Sequence, residues 1–392
     1  MSARTAGLLA LSLLLATVAC ARPSDQPGGL LDRLSRRAAA DRDALATVVA
    51  DAVDRVAPGP VERATATPPA RPAPARTVLP TPAPAGTPTP RPAPPTATEA
   101  PIPTRLARSS GYVLAKYYAW FDVNSWGNGT LTDQPVAPYV SAERATIERQ
   151  VRQAQGVGID GFTLNWWGAD NPTDANLQTL LAVARRNGFA VTVDVDLNSP
   201  FWAGPDDLAG ALIYLRRYFD DPAWLRLGGR PIVSFYGTRK HDLPTWRDIR
   251  RRVDPAGQAL WIGEGDIFDY LAVFDGIHPY SVAWSPDPAA QLASYASRTR
   301  AVGRDKLWVA TVMPGYDDTR LGRRDGFRVD RQGGAYYTRM WRGAIATHPT
   351  IVSITSWNEW PEGSYIEPSQ LHGDLYLRLT REMVDAYRAT MP

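Results

Sequence analysis

Cysteine is almost absent. The 392-residue chain has one, Cys20, which excludes an intramolecular disulfide and any cysteine-based zinc site. Histidine is scarce as well. His241, His278, His348 and His372 are scattered, with no H-E-x-x-H pair, so no histidine-rich metal centre is expected. An excess of charge of one sign is missing too: the formal net charge is +3, with 21% charged residues and no Lys/Arg cluster on a motif. That balance excludes a nucleic-acid partner from the expectations. No G-x-G-x-x-G turn follows the first strand-like run, which ends Ala119-Trp120-Phe121-Asp122. Nucleotide binding therefore lacks its usual mark. Neither a cofactor nor a metal is expected.

Aromatic residues are missing from the first third. The 13 Trp, 16 Tyr and 9 Phe all lie at or after Tyr112. A segment without aromatics and rich in Ala, Pro, Thr and Arg cannot bury enough apolar surface to offset its chain entropy. Residues 1–20 carry Arg4, then an apolar run from Ala6 to Ala19, then Cys20. This reads as a secretory signal, too short to span a bilayer comfortably. Its end, Thr17-Val18-Ala19-Cys20, resembles a bacterial lipoprotein box, which implies lipidation at Cys20; Thr17 stands where Leu is usual. The plainer alternative is an ordinary cleaved signal with Cys20 incidental. Lipidation is favoured because the sole cysteine sits where that chemistry needs it. Over 21–56, Leu45, Val48, Val49, Val53 and Val56 keep helical spacing, which predicts a short amphipathic stalk helix. Over 57–108 roughly one residue in three is proline across most of the stretch, as in a semi-rigid, disordered spacer. The layout expected is a lipid anchor, a spacer and a globular domain over 109–392, exported to the cell envelope and held outside the cytoplasm as a monomer.

The globular part alternates apolar, β-branched runs with helical patterns. Strands are expected at 112–118, 161–165, 190–194, 231–236, 259–263, 273–277, 307–312 and 351–356. Helices follow most of them, at 141–155, 174–187, 205–219, 245–253, 288–302, 334–347 and 374–390. Eight such units in about 280 residues predict a closed parallel (β/α)8 TIM barrel.

In such barrels the chemistry sits where strands end. The ends here read Tyr117-Tyr118-Ala119-Trp120, Trp166-Trp167, Asp194 with Asp196, Glu264, His278 with Tyr280, Tyr316-Asp317 and Trp357-Asn358-Glu359-Trp360. This rim is aromatic and acidic. Flat rings stack on the apolar faces of sugar rings, and carboxylates and amides bond sugar hydroxyls. No Ser-His-Asp set is evident. Any single aromatic there is more often packing, Asp194 and Asp196 could pair with backbone or arginine, Asp317 could cap a turn, and a lone Glu264 stands at even odds. Glu359 and Glu362 differ. They flank Trp360 and Pro361 in one short loop, where mutual repulsion raises one pKa and suits an acid/base pair for glycoside hydrolysis.

The run from Ser353 to Pro368, with Asn358-Glu359-Trp360-Pro361-Glu362-Gly363 at its centre, resembles the signature of glycoside hydrolase family 99, the family of endo-α-1,2-mannosidases and endo-α-1,2-mannanases. Tyr117-Tyr118-Ala119-Trp120, Trp166-Trp167-Gly168, Phe274 to Ile277 with Tyr280, and Pro314 to Asp318 resemble further stretches of that family. The resemblance implies a (β/α)8 barrel and metal-free, retaining cleavage inside a glycan chain. Glu359 matches the group that takes the proton from the sugar 2-hydroxyl, so that a 1,2-anhydro sugar forms. Glu362 matches the acid that protonates the leaving oxygen and then activates water. Tyr280 matches a tyrosine beside the pair, and Tyr118, Trp167 and Glu367 match sugar contacts. Pro361 stands where the mannosidases have His, a departure that bears on linkage specificity. Two other readings remain open: a carbohydrate-binding lipoprotein without turnover, and a related hydrolase acting on another α-glucan such as an α-1,3-glucan.

Overall fold

The computed structural model describes residues 110–391 apart from 128. The expectations for 1–20, with Cys20, for 21–56 and for 57–108 lie outside the described residues. Eight parallel strands form the centre: β1 (Tyr112–Tyr117), β2 (Gly161–Trp166), β3 (Ala190–Asp196), β4 (Arg230–Tyr236), β5 (Leu260–Glu264), β6 (Gly276–His278), β7 (Leu307–Val312) and β8 (Ile351–Ile354). The barrel closes because β1 pairs with both β2 and β8, while β3 pairs with β4. The chain is thus the (β/α)8 barrel that its pattern predicts. Around it run α1 (Arg144–Gly156), α2 (Pro172–Asn187), α3 (Pro205–Leu215), α4 (Leu243–Val253), α5 (Pro288–Val302), α6 (Ala335–Ala346) and α7 (Leu375–Arg388). Only a 3-10 turn, Phe268–Ala272, joins β5 to β6. Strand β6 starts three residues later than its apolar run suggests. The N–H groups of Val273 and Phe274 are spent on Tyr270 O, closing that turn.

Local chemistry sets the helix starts. Asn171, Asp242 and Asp287 each accept a first-turn backbone N–H, from Thr173, Thr245 and Ala290, and each is followed within two residues by a proline. The side chain satisfies an orphan donor and the proline needs none. Gly188 ends α2 in the left-handed conformation, φ 56°, where a side chain would be strained.

Strand parity divides the side chains between two cores. Val113, Ala115 and Tyr117, with Phe162, Leu164 and Trp166, pack outward with the helices. Tyr112, Leu114, Ile232, Ile262, Val309 and Ile351 pack inward around the axis. Above that plug, Lys116, Thr163, Ser234, His278 and Ser353 line the barrel interior. Two acids at the opposite, N-terminal face are occupied. Asp160, just before β2, accepts from Val113 N at 2.9 Å and pairs with Arg388 at 2.9 Å. Asp275, just before β6, accepts from Trp261 N at 2.9 Å and pairs with Arg230 and Arg250, both at 3.2 Å.

Asp160 therefore serves stability. Asp160→Ala leaves the buried Val113 N–H without its acceptor and takes the carboxylate from Arg388, which keeps only Gly158 O, and is expected to lower the unfolding free energy by about 2 kcal/mol or more. Urea denaturation checks this, as a lower midpoint at unchanged slope.

Candidate active site

Parity also decides which expected site residues reach the mouth. Tyr118, Trp167, Asp194, Asp196, Glu264, His278 and Tyr280 continue the inward rows of their strands. Tyr117 and Trp166 fall on the outward row, and Trp357, three residues beyond the end of β8, turns into the same outer core; here the sequence expectation is corrected. All three are fully buried in the strand–helix core. Tyr117 stacks on Phe162 and donates to Gln150, and Trp166 donates to Asp174. They pack the scaffold and do not face a ligand.

The loop after β8 is built as a frame around two acids. Asn358 accepts from Tyr118 N at 2.8 Å and donates to Tyr118 O at 2.9 Å, tying the loop to the end of β1. Trp360 stacks on Tyr365 at 4.0 Å and donates to Tyr139. Glu367 accepts from Tyr139 and Gln150, at 2.9 and 2.7 Å. Asn358, Trp360 and Glu367, expected as sugar contacts, thus spend their polar atoms on the frame. Glu359 N donates to Ser356 Oγ at 2.6 Å. Gly363 turns the chain with φ 58°, and a Cβ there would meet Asp317 backbone at 3.1 Å. That close approach lets Asp317 N donate to Glu362 O at 2.8 Å.

Glu359 and Glu362 are each 4% exposed. Burial pushes Glu359 well above the usual carboxylate range, and the charge of Glu362 adds to it. Burial raises Glu362 as well, opposed by Arg323. Arg323 brings both terminal nitrogens to Glu362 Oε1, at 3.0 and 2.9 Å. It also donates to Asp318 at 2.8 Å and to the Tyr316 hydroxyl at 2.9 Å. Tyr280 donates to Glu362 Oε2 at 3.3 Å, and its hydroxyl lies 2.8 Å from that of Tyr118. Sequence reasoning missed Arg323. Two buried acids in one loop call for a counter-charge, and Arg323 stands five residues beyond the Tyr316-Asp317-Asp318 run that was noticed. Of that run, Tyr316 and Asp318 hold the arginine, while Asp317 binds the acid loop through its backbone.

The rest of the mouth is polar on one side and aromatic on another. Lys116 pairs with Asp194, whose carboxyl burial raises. Burial and Lys116 hold His278 well below its usual range, so its imidazole is neutral. Asp196 accepts from Asn198 N at 2.8 Å and from Asn165 at 3.3 Å. Trp120 lies 4.7 Å from Tyr118 and 5.1 Å from Trp167, ring to ring. Glu359 Oε2, Asp194 Oδ1, Asn165 Oδ1 and Trp167 Nε1 are buried without a hydrogen-bond partner. Orphaned polar atoms beside aromatic faces suit a ligand with both hydroxyls and apolar faces, as a sugar has. Among the described residues no group of three His, Cys, Asp or Glu is placed to hold a metal ion.

A closed parallel barrel with a buried acid pair at its C-terminal mouth defines the architecture of a glycoside hydrolase. The model of glycosyl hydrolase family 99 matches residues 133–389, and the chain belongs to that family. It is 25% identical over 277 residues to a glycoprotein endo-alpha-1,2-mannosidase of Rattus norvegicus, covering 61% of this chain and 57% of the relative. It is 25% identical over 248 residues to a glucan endo-1,3-alpha-glucosidase of Schizosaccharomyces pombe, covering 56% and 53%. The chain thus spans a little over half the length of these curated relatives. Among solved structures, the family 99 endo-alpha-mannosidase of Bacteroides thetaiotaomicron in complex with bis-tris propane superposes with a TM-score of 0.63 at 25% identity. The match covers 72% of this chain and 98% of that one.

Glu264 gives a pH-dependent signature of this mouth. Burial pushes its carboxyl up to about 7. The folded protein keeps that proton after the unfolded chain has lost it, so this group's contribution to stability falls as pH climbs from the ordinary carboxyl range to about 7. In thermal unfolding, Glu264→Gln is expected to gain on the wild type at about pH 8 and to lose that gain at about pH 4.5.

Proposed function

We propose that the protein is a retaining endo-glycosidase that cleaves internal α-glycosidic bonds, with Glu359 and Glu362 as the reacting pair. The observation that carries the reading is that pair, buried side by side at the barrel mouth and raised in pKa. In the first step Glu359 takes the proton of the sugar 2-hydroxyl, O2 attacks C1, and the bond from C1 to the leaving oxygen breaks. Glu362 gives that oxygen its proton. In the second step water attacks C1, Glu362 takes a proton from the water, and the C1–O2 bond opens. O2 then recovers the proton held by Glu359. Two inversions at C1 leave the anomeric configuration unchanged. Tyr280 steadies Glu362, and Tyr118, Trp120 and Trp167 offer ring faces to the sugar.

Stereochemistry favours α-mannosides. Closing a three-membered ring from O2 needs O2 anti to the leaving group. An α-mannoside meets that condition and an α-glucoside does not. The second reading, an α-1,3-glucan, is favoured by the likeness to the Schizosaccharomyces pombe glucosidase and would require a direct attack on C1 instead. A carbohydrate-binding role without turnover is the third outcome. Incubating the protein with α-1,2-linked mannan and with α-1,3-glucan, and sizing the products, separates the three. Internal cleavage of mannan is expected. Glu359→Gln and Glu362→Gln should each lower kcat by about 10³-fold while still unfolding cooperatively on heating. Ordinary turnover in either variant would refute the assignment.

We further propose that a lipid on Cys20 anchors the chain at the cell envelope, with residues 21–108 as stalk and spacer and the barrel working as a monomer outside the cytoplasm. The single cysteine at the end of an apolar leader supports this. The full chain is expected to partition into the detergent phase, and Cys20→Ser into the aqueous phase.

A further inference from the structure

To give a proton to a leaving oxygen, Glu362 must be the protonated member of the acid pair. The free protein holds it otherwise. The Arg323 side chain is 7% exposed and grips Glu362 with both terminal nitrogens, at 3.0 and 2.9 Å. A buried fork of this kind stabilises the ionised carboxylate. Asp318 and Tyr316 keep the guanidinium in that orientation. Glu359 has no such grip, and its Oε2 has no partner. The groups facing the pair are Tyr118 from the end of β1, Asp196 from β3, Tyr280 beyond β6, and Tyr316, Asp318 and Arg323 from the loop after β7. Arg323 is the one cation among them, and it is spent on Glu362. Burial and the Glu362 charge together push Glu359 well up, so the proton shared by the pair rests on Glu359. The proposed reaction needs the opposite arrangement.

A route for the exchange exists. Tyr280 directs its hydroxyl proton at Glu362 Oε2, 3.3 Å away. The Tyr118 hydroxyl, 2.8 Å from that of Tyr280, is then the donor in their contact. Glu359 lies beside Tyr118, whose phenol its charge raises, and the protonated carboxyl can donate to the Tyr118 oxygen, whose own proton is turned to Tyr280. The two acids are thereby joined through two phenols. Glu359 can pass its proton to the Tyr118 oxygen as Tyr118 passes its own to Tyr280 and Tyr280 passes its own to Glu362. Three O–H bonds break and three form, and the negative charge moves from Glu362 to Glu359. Burial raises both phenols far above their usual range, so they carry the proton as neutral groups.

We propose that Arg323 is a positioning residue that keeps Glu362 ionised and Glu359 protonated in the free protein, and that a sugar lodged against Glu362 draws the guanidinium aside so that the proton crosses through Tyr118 and Tyr280. The proposal rests on the reaction read above, but the resting proton can be located without any substrate.

Infrared titration of the protonated-carboxyl band in the free full-length protein tests it. Glu264 and Glu367, both raised to about 7, are common to all variants and cancel in difference spectra. Glu359→Gln is expected to remove the carboxyl that stays protonated to the highest pH. Adding Arg323→Gln to that variant should move the titration of the remaining Glu362 up by about one pH unit or more. The proposal is overturned if Glu359→Gln leaves the highest titration in place, or if Arg323→Gln does not move Glu362. Turnover gives a second readout. The alkaline limb of the kcat/KM profile should move up by about one unit in Arg323→Gln and return toward the wild type in Arg323→Lys, with thermal unfolding confirming that both fold. A merely structural arginine would lower kcat/KM with both limbs in place. If no variant, nor the wild type, cleaves any glycan, the reaction reading fails while the infrared titration still decides where the proton rests.

Discussion

Two carboxyls buried side by side, one of them bound by a guanidinium, set the terms for the rest of the molecule. An isolated carboxylate in this position would cost several kcal/mol. Glu359 and Glu362 lie there because the loop after β8 is braced on every side: Asn358 on the β1 backbone, Trp360 on Tyr365, and Glu362 O on Asp317 N. Arg323 then supplies one charge for two acids. The remaining imbalance appears as raised pKa values rather than as a further ion pair, which is the condition acid/base chemistry requires.

The two faces of the barrel divide the work. At the N-terminal face Asp160 and Asp275 are fully occupied by backbone donors and arginines. At the C-terminal face Asp194, Asn165 and Glu359 keep buried polar atoms without partners. The same residue types thus give rigidity at one end and a binding surface at the other. A ligand that completes those hydrogen bonds replaces interactions the protein does not make for itself.

The barrel was largely legible in the sequence because period-2 and period-3.6 patterns alternate cleanly and because Asn171, Asp242 and Asp287 mark helix starts with prolines close behind. The acids were legible because they share a motif. Orientation was harder to read. Tyr117 and Tyr118, or Trp166 and Trp167, are adjacent in sequence, yet a one-residue change of parity sends one to the helices and the other to the mouth. Register, set by pairing across the whole barrel, decides which. Arg323 was not legible for a related reason. It lies in a long loop without period, and its role depends on a contact with a residue of another loop.

The roles given to Glu359 and Glu362 require cleavage of an α-linked glycan with retention at C1. Proton NMR of the anomeric signals in the first minutes of mannan hydrolysis, before mutarotation mixes the products, tests it most directly. The α-anomer is predicted to appear first and to decay toward equilibrium. A β-anomer released first would mean a single inversion by water, and would contradict the roles given to Glu359 and Glu362.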